Sequence, residues 1–256
     1  DSVRIFMIEK KEAVDSIEEI CRIPGVDMIQ FGPSDYSMSC GHNAAEPGWI
    51  AERKEAERHC IRVALEHGVQ PRCEIEKPED ARYYLDLGVM HTFKKNYRQA
   101  LTDYVDYTQA LNMETLNLAL AKIDSLSDLR AVELTGDQLP LVYEKALAKT
   151  ERAAYQAMEG LIHNLNTMHS RAGAQVPFSS INFGTDTSEA GRMVSRQLLL
   201  AMESGLGNHE TPIFPILIFK IKEGVNYNPG DPNYDLFQLS CRLQHCIFHK
   251  SEAKRS

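Results

Sequence analysis

Over the first 93 positions, short continuous apolar runs alternate with stretches whose apolar residues recur at helical spacing. Val3-Arg4-Ile5-Phe6-Met7-Ile8 is a run suited to a buried strand. Val14, Ile17, Ile20 and Cys21 then line one side of a helix that Pro24-Gly25 stops. Val26 to Phe31 predicts a second strand, left through Gly32-Pro33. A longer helix follows from Trp49 to Glu66, with Ile50, Ile61, Ala64 and Leu65 apolar and Gly68 closing it. Pro71 to Ile75 predicts a strand, Pro78 to Leu87 a helix, and Val89 to Phe93 a strand. Strands and helices alternating in such short steps are parallel βα units, about half of an eight-unit barrel.

The texture changes between 94 and 136. This stretch is polar-helical, rich in Leu, Ala, Asp and Thr, and Thr135-Gly136-Asp137 breaks it. Beyond it, Leu139 to His169 predicts one long helix with Tyr155, Met158, Ile162 and Leu165 on one face, ended by Gly173. Val176 to Gly184 predicts a strand, Glu189 to Glu203 a helix, and Ile213 to Ile221 a long apolar strand. A Pro/Gly/Asn turn over 226–233 leads to a helix beginning near Tyr234. The expected organisation is therefore a partial barrel over 1–93, a helical seam over 94–136, a second α/β segment over 137–242 and a tail over 243–256. No internal repeat relates the halves.

Composition excludes several classes. The 256 residues carry 28 Lys+Arg against 36 Asp+Glu, a formal net charge of -8, which argues against general phosphate-backbone binding. The mean hydropathy is -0.35, and no apolar run approaches the roughly 20 residues that span a bilayer. Six cysteines at irregular spacing, and no signal peptide behind Asp1-Ser2-Val3-Arg4, favour reduced thiols in a cytoplasmic protein. Cys241 and Cys246, with His245 and His249 nearby, suggest a metal cluster. A solvated helix end is the favoured reading of them, because no second ligand pair stands at zinc-site spacing.

Glu9 follows the first predicted strand, and Asp35 follows the second within Gly32-Pro33-Ser34-Asp35. Both then lie at the C-terminal rim of parallel strands, where two carboxylates suit a hard divalent cation such as Mg or Mn. The Gly32-Pro33-Ser34 turn can present backbone N–H groups to an anion. The competing reading makes Glu9 a helix cap and Asp35 a turn residue, and spacing alone gives it the greater weight. Met7-Ile8-Glu9, Pro24-Gly25-Val26-Asp27 and Phe31-Gly32-Pro33-Ser34-Asp35-Tyr36-Ser37 resemble the hydroxy-oxo-acid (heptanedioate) aldolase and citrate lyase beta-subunit family. The resemblance covers residues 1–92, the C-terminal half of that family's TIM-type barrel. It implies that Glu9 and Asp35 hold the metal and that the Gly32, Pro33 and Ser34 backbone faces a 2-oxo acid. The metal would act as a Lewis acid on the enolate of a C–C lyase. The arginine and histidine of that family lie on strands preceding this stretch.

A second polar constellation lies further on. His163-Asn164-Leu165-Asn166-Thr167-Met168-His169-Ser170-Arg171 ends a helix, and Ser179, Ser180 and Asn182 ride the following strand. Small hydroxyl and amide groups suit a polyhydroxy or phosphorylated ligand, and Arg171 and Arg192 can meet phosphate bidentately. For His163 and His169, a capping or core hydrogen bond is the competing reading to metal or acid–base roles. Asn164 to Gly173, Pro177-Phe178-Ser179-Ser180-Ile181-Asn182-Phe183-Gly184-Thr185-Asp186-Thr187 and Glu223-Gly224-Val225-Asn226-Tyr227-Asn228-Pro229-Gly230-Asp231-Pro232-Asn233-Tyr234-Asp235 resemble the anaerobic (class III) ribonucleoside-triphosphate reductase. The match runs from about 137 to Arg242. It implies an internal segment of a ten-stranded α/β barrel that binds a nucleoside triphosphate and, in the family, is served by a radical-SAM activating partner. The glycyl radical site and the thiyl cysteine of that family fall outside this stretch, and Cys241 matches a helix position. The expectation is a composite of two incomplete enzyme segments, aldolase and reductase, without turnover of its own. A non-catalytic nucleotide- or partner-binding fragment is the alternative.

Overall fold

The computed structural model describes residues 3–73, 75, 78–104, 120, 139–168, 176–243 and 246–250. The chain divides into two compact units, Asp1–Pro78 and Glu79–Ser256. Each is a mixed α/β unit built on a small parallel sheet.

In the first unit, β1 (Ile5–Ile8), β2 (Met28–Phe31) and β3 (Gln70–Arg72) lie in the order β1-β2-β3, all parallel. Parallel neighbours need crossovers, and helices supply them. The first crossover carries α1 (Lys11–Asp15) and α2 (Ile17–Cys21); the second carries α3 (Pro33–Ser39) and α4 (Ile50–Glu66). The single helix expected near Val14–Cys21 is thus two short ones, divided at Ser16. Strand residues alternate between faces. Ile8, Ile29 and Phe31 face the helices and are buried with Ile17, Cys60, Val63 and Ala64. Ile5 and Met7 point the other way and are 48% and 47% exposed.

The second unit begins with α5 (Pro78–Tyr104), which runs without interruption through Gly88. The strand expected at Val89–Phe93 is therefore helix. Val89, Met90, Phe93, Tyr97 and Ala100 are buried together at intervals of one, three, four and three, one helical face. A stretch as short as Val89–Phe93 satisfies either period, and the residues beyond it decide. Most of the 94–136 stretch, including Thr135-Gly136-Asp137, lies outside the described residues.

Then come α6 (Leu139–Thr167), β4 (Ser180–Phe183), α7 (Glu189–Ser204), β5 (Ile216–Ile221), α8 (Tyr234–Ser240) and β6 (Cys246–Lys250). The sheet order is β4-β5-β6, again all parallel. Ser188 caps α7, its hydroxyl accepting the Gly191 N–H at 3.0 Å. Leu217 and Phe219 are buried against Ile162, Leu198, Leu199 and Leu236.

The 246–250 stretch, expected to be a solvated helix end, is the edge strand β6. Cys246 shares the helix-covered face with Leu217, whereas His249 shares the opposite face with Lys220. Opposite faces prevent the two from ligating one ion. Cys241 caps α8 from an exposed position, and His245 lies outside the described residues.

Candidate functional site

At the first sheet, Gly32 donates its N–H to the Ile8 carbonyl at 2.9 Å, which places the residue after β2 beside Glu9, the residue after β1. A Cβ placed on Gly32 would lie 3.0 Å from the Glu9 Cβ and 3.6 Å from its Oε2. Only a residue without a side chain lets the half-buried Glu9 carboxylate rest against the turn. Asp35 is exposed in the first turn of α3, two residues beyond Pro33. Gly32 brings no capping side chain to that helix, so no side chain there satisfies the leading N–H groups of Ser34 and Asp35.

The turn is anchored from behind. Ser37 donates to the Pro33 carbonyl at 2.7 Å and accepts the Trp49 indole N–H at 2.9 Å. Tyr36 stacks between Phe31 and Trp49, with ring centroids at 5.1 and 6.0 Å, and His42 stacks on Trp49 at 4.2 Å. Burial, helped by a hydrogen bond with Cys40, pushes the Tyr36 hydroxyl up to about 12, so Tyr36 is a neutral wall. Burial likewise pushes the Cys60 thiol up to about 12.

Among the described residues no three His, Cys, Asp or Glu side chains converge as a metal site. Glu9 and Asp35 are two hard oxygen donors at one rim. Such a pair fits a divalent ion that completes its shell from water and ligand oxygens. Two further polar residues, not singled out from the sequence, lie one row below this rim. Gln30 is level with Met7 on one side and Arg72 on the other, so Met7, Gln30 and Arg72 form one row on the uncovered face.

At the second sheet, alternation separates the expected trio. Ser180 and Asn182 are exposed on one face, while Ser179 falls on the other with Ile181 and Phe183. The Ser179 hydroxyl is buried with no hydrogen-bond partner among the described residues. Lys220 and His249 stand side by side on the Asn182 face.

The strand ends here are organised by asparagines. Asn226 donates to the carbonyls of Gly184 (2.8 Å) and Lys220 (2.9 Å) and accepts from the Lys222 N–H (2.8 Å). Asn233 donates to Gly184 (3.0 Å) and Asp186 (2.7 Å) and accepts from Arg192 at 2.6 Å. Gly184 has φ +110, and a Cβ there would meet the Phe219 ring at 3.0 Å. Asn166 does similar work at the entry to β5, accepting the Ile213 and Phe214 N–H groups.

Arg192, expected to meet phosphate, gives its fork to Asp235 at 3.0 and 3.1 Å and to Asn233; Arg196 also bonds Asp235. His163 is exposed beside Thr167 on α6. His169, Ser170, Arg171 and Gly173 lie outside the described residues. Burial raises the Asp86 carboxyl, with Arg82 opposing and Asp186 adding to the shift.

Two small parallel sheets with helical crossovers define an α/β protein. The chain belongs to the anaerobic ribonucleoside-triphosphate reductase family, whose model matches residues 82–248. Residues 2–72 match the HpcH/HpaI aldolase/citrate lyase family. Both resemblances read from the sequence are thus borne out, and the reductase match begins well before residue 137.

The chain is 44% identical over 99 residues to the anaerobic ribonucleoside-triphosphate reductase of Haemophilus influenzae, 38% of this chain and 14% of that one. It is 43% identical over 96 residues to the phage T4 protein of the same name, 37% of this chain and 16% of that one. Over 72 residues it is 39% identical to the 2-dehydro-3,6-dideoxy-6-sulfogluconate aldolase of Pseudomonas putida, 27% of this chain and 28% of that one. The chain therefore spans about a seventh of the reductases it matches. No helix among the described residues is long and apolar enough to cross a membrane.

Proposed function

We propose that this chain joins a divalent-metal and 2-oxo-acid binding unit, part of a TIM-type aldolase barrel, to a nucleotide-binding piece of the ten-stranded reductase barrel. In this reading it binds both ligands and turns over neither by itself. What supports the first half is that Glu9 follows β1 and Asp35 lies in the first turn of α3, just after the adjacent parallel strand β2, with the Gly32 α-carbon against Glu9. Glu9 and Asp35 would hold Mg or Mn, and the Gly32, Pro33 and Ser34 backbone would receive the substrate carboxylate. When bound, the ion supplies Lewis acidity to the 2-oxo group. The residues themselves orient the acid and leave one face of it open to the rim.

For the second half, Ser180 and Asn182 on the exposed face are the groups that would meet a nucleoside triphosphate, with Lys220 beside them. Ser179 would act indirectly, from the covered side of the strand. A radical-SAM activating partner, a 2-oxo-acid substrate and a cytoplasmic setting follow from the two families and belong to the same proposal.

Trp49, the single tryptophan, packs on the helix that carries Asp35 and supplies the test. Mn titration of the full chain is expected to quench Trp49 saturably, with Glu9→Gln and Asp35→Asn each weakening the response at least tenfold. A wild-type chain without a saturable response would sink the metal reading.

A further inference from the structure

The first sheet shows its two faces to different surroundings. Phe6, Ile8, Ile29, Phe31 and Pro71 share the helix-covered side, whereas Ile5, Met7, Met28, Gln30, Gln70 and Arg72 share the uncovered side. Glu9 and Gly32 continue the uncovered side beyond the ends of β1 and β2. The contact of a Gly32 Cβ with the Met7 Cε at 3.5 Å confirms that they belong to it. Read from the rim downward, that face carries Glu9 and Gly32, then Met7, Gln30 and Arg72, then Ile5, Met28 and Gln70. It therefore holds an anion platform at the top and an amide with an exposed guanidinium one row below.

Strands lie about 4.8 Å apart and two residues advance about 6.6 Å along one, so the Arg72 α-carbon is roughly 8 Å diagonally from Gly32. The Arg72 side chain rises from the same face, so a ligand lying across the sheet from the rim can meet the platform with one anion and the guanidinium with another. A planar guanidinium receives a carboxylate in two parallel bonds, and the Gln30 amide can donate a third.

We propose that Arg72, assisted by Gln30, is a specificity-determining residue that reads a second, distal anion, so that the preferred ligand is a dianionic 2-oxo acid. This inference rests on the reading of Glu9, Asp35 and the Gly32–Ser34 turn as the metal and carboxylate platform, and it adds the chemistry of the other end. An acid lacking the distal charge leaves the guanidinium solvated and gains nothing from it.

The test uses the full chain with saturating Mn and two probes, 2-oxoglutarate and 2-oxobutanoate, followed by calorimetry. Wild type is expected to bind 2-oxoglutarate about tenfold more tightly, the scale of one charge-assisted pair at a solvent-open site. Arg72→Ala should abolish that preference while leaving 2-oxobutanoate affinity unchanged, and Arg72→Lys should restore part of it. Equal binding of both acids, or an Arg72→Ala loss shared by both, overturns the inference and leaves the metal platform standing. Binding of Mn without binding of either acid overturns it as well. No binding of Mn itself is the different result that removes the platform beneath it.

Discussion

The Gly184 carbonyl is buried and accepts from two side chains, Asn226 Nδ2 at 2.8 Å and Asn233 Nδ2 at 3.0 Å. This shared acceptor makes the two asparagines energetically dependent. In Asn226→Ala the chain loses three hydrogen bonds, but Gly184 keeps Asn233; in Asn233→Ala the converse holds. With each bond worth about 1 kcal/mol net, and other buried partners left partly unpaired, each single change should cost about 2–4 kcal/mol. In the double variant Gly184 loses both donors in a site closed by Phe219. The desolvation of an orphaned carbonyl, about 1–3 kcal/mol, is then added once and only there. The double variant should therefore cost about 1–3 kcal/mol more than the summed singles. Urea unfolding of all four proteins by far-ultraviolet circular dichroism measures this, with sucrose present to keep the weakest variant folded. Additivity within about 0.5 kcal/mol would refute the argument, since it would mean that water or a shifted loop satisfies Gly184 as well as the asparagines do.

Gly32→Ala should reduce Mn affinity about tenfold at unchanged helix content, because the new methyl would sit 3.0 Å from the Glu9 Cβ; an unchanged titration would show that Glu9 is free of the turn. Arg192→Lys loses the two-bond grip on Asp235 and should cost about 1 kcal/mol, a modest figure because both partners are partly exposed; thermal unfolding reads it. Burial raises Cys60 from its ordinary 9.0 to about 12, so the folded state holds that proton more tightly than the unfolded chain. Its contribution to stability is complete below pH 9 and is lost as pH climbs toward 12, and Cys60→Ala should flatten that part of the profile. In the native protein iodoacetamide should modify exposed Cys241 well before Cys60 or Cys246, the last held up at about 11 by burial; peptide mass spectrometry at pH 8 reads the order.

Both enzyme families were legible from short motifs, because Gly32-Pro33-Ser34-Asp35 and the asparagine-rich 226–235 turn are local arrangements of unusual residues. The strand–helix alternation was legible where each element was bounded by Pro or Gly. It failed at Val89–Phe93, where Gly88 imitated a helix end and only the packing of Phe93, Tyr97 and Ala100 against α6 and α7 shows a single helix. It failed again at 246–250, where five residues are too few to reveal a period and a strand exists because β5 offers it a ladder.

What the sequence determined by itself was composition, element type in the longer periodic stretches, and the identity of the carboxylates and amides that could do chemistry. These depend on residues close together along the chain. The tertiary structure alone decided facing and partnership. It split Ser179 from Ser180 and Asn182, set Cys246 and His249 on opposite sides of β6, gave Arg192 to Asp235, and put Arg72 on the same face as Glu9. Forming a strand at all separates Ser179 from Ser180 and Cys246 from His249, because successive side chains alternate between faces. The shared face of Arg72 and Glu9 depends on strand register, which a one-residue shift would reverse and which contacts between residues dozens of positions apart set.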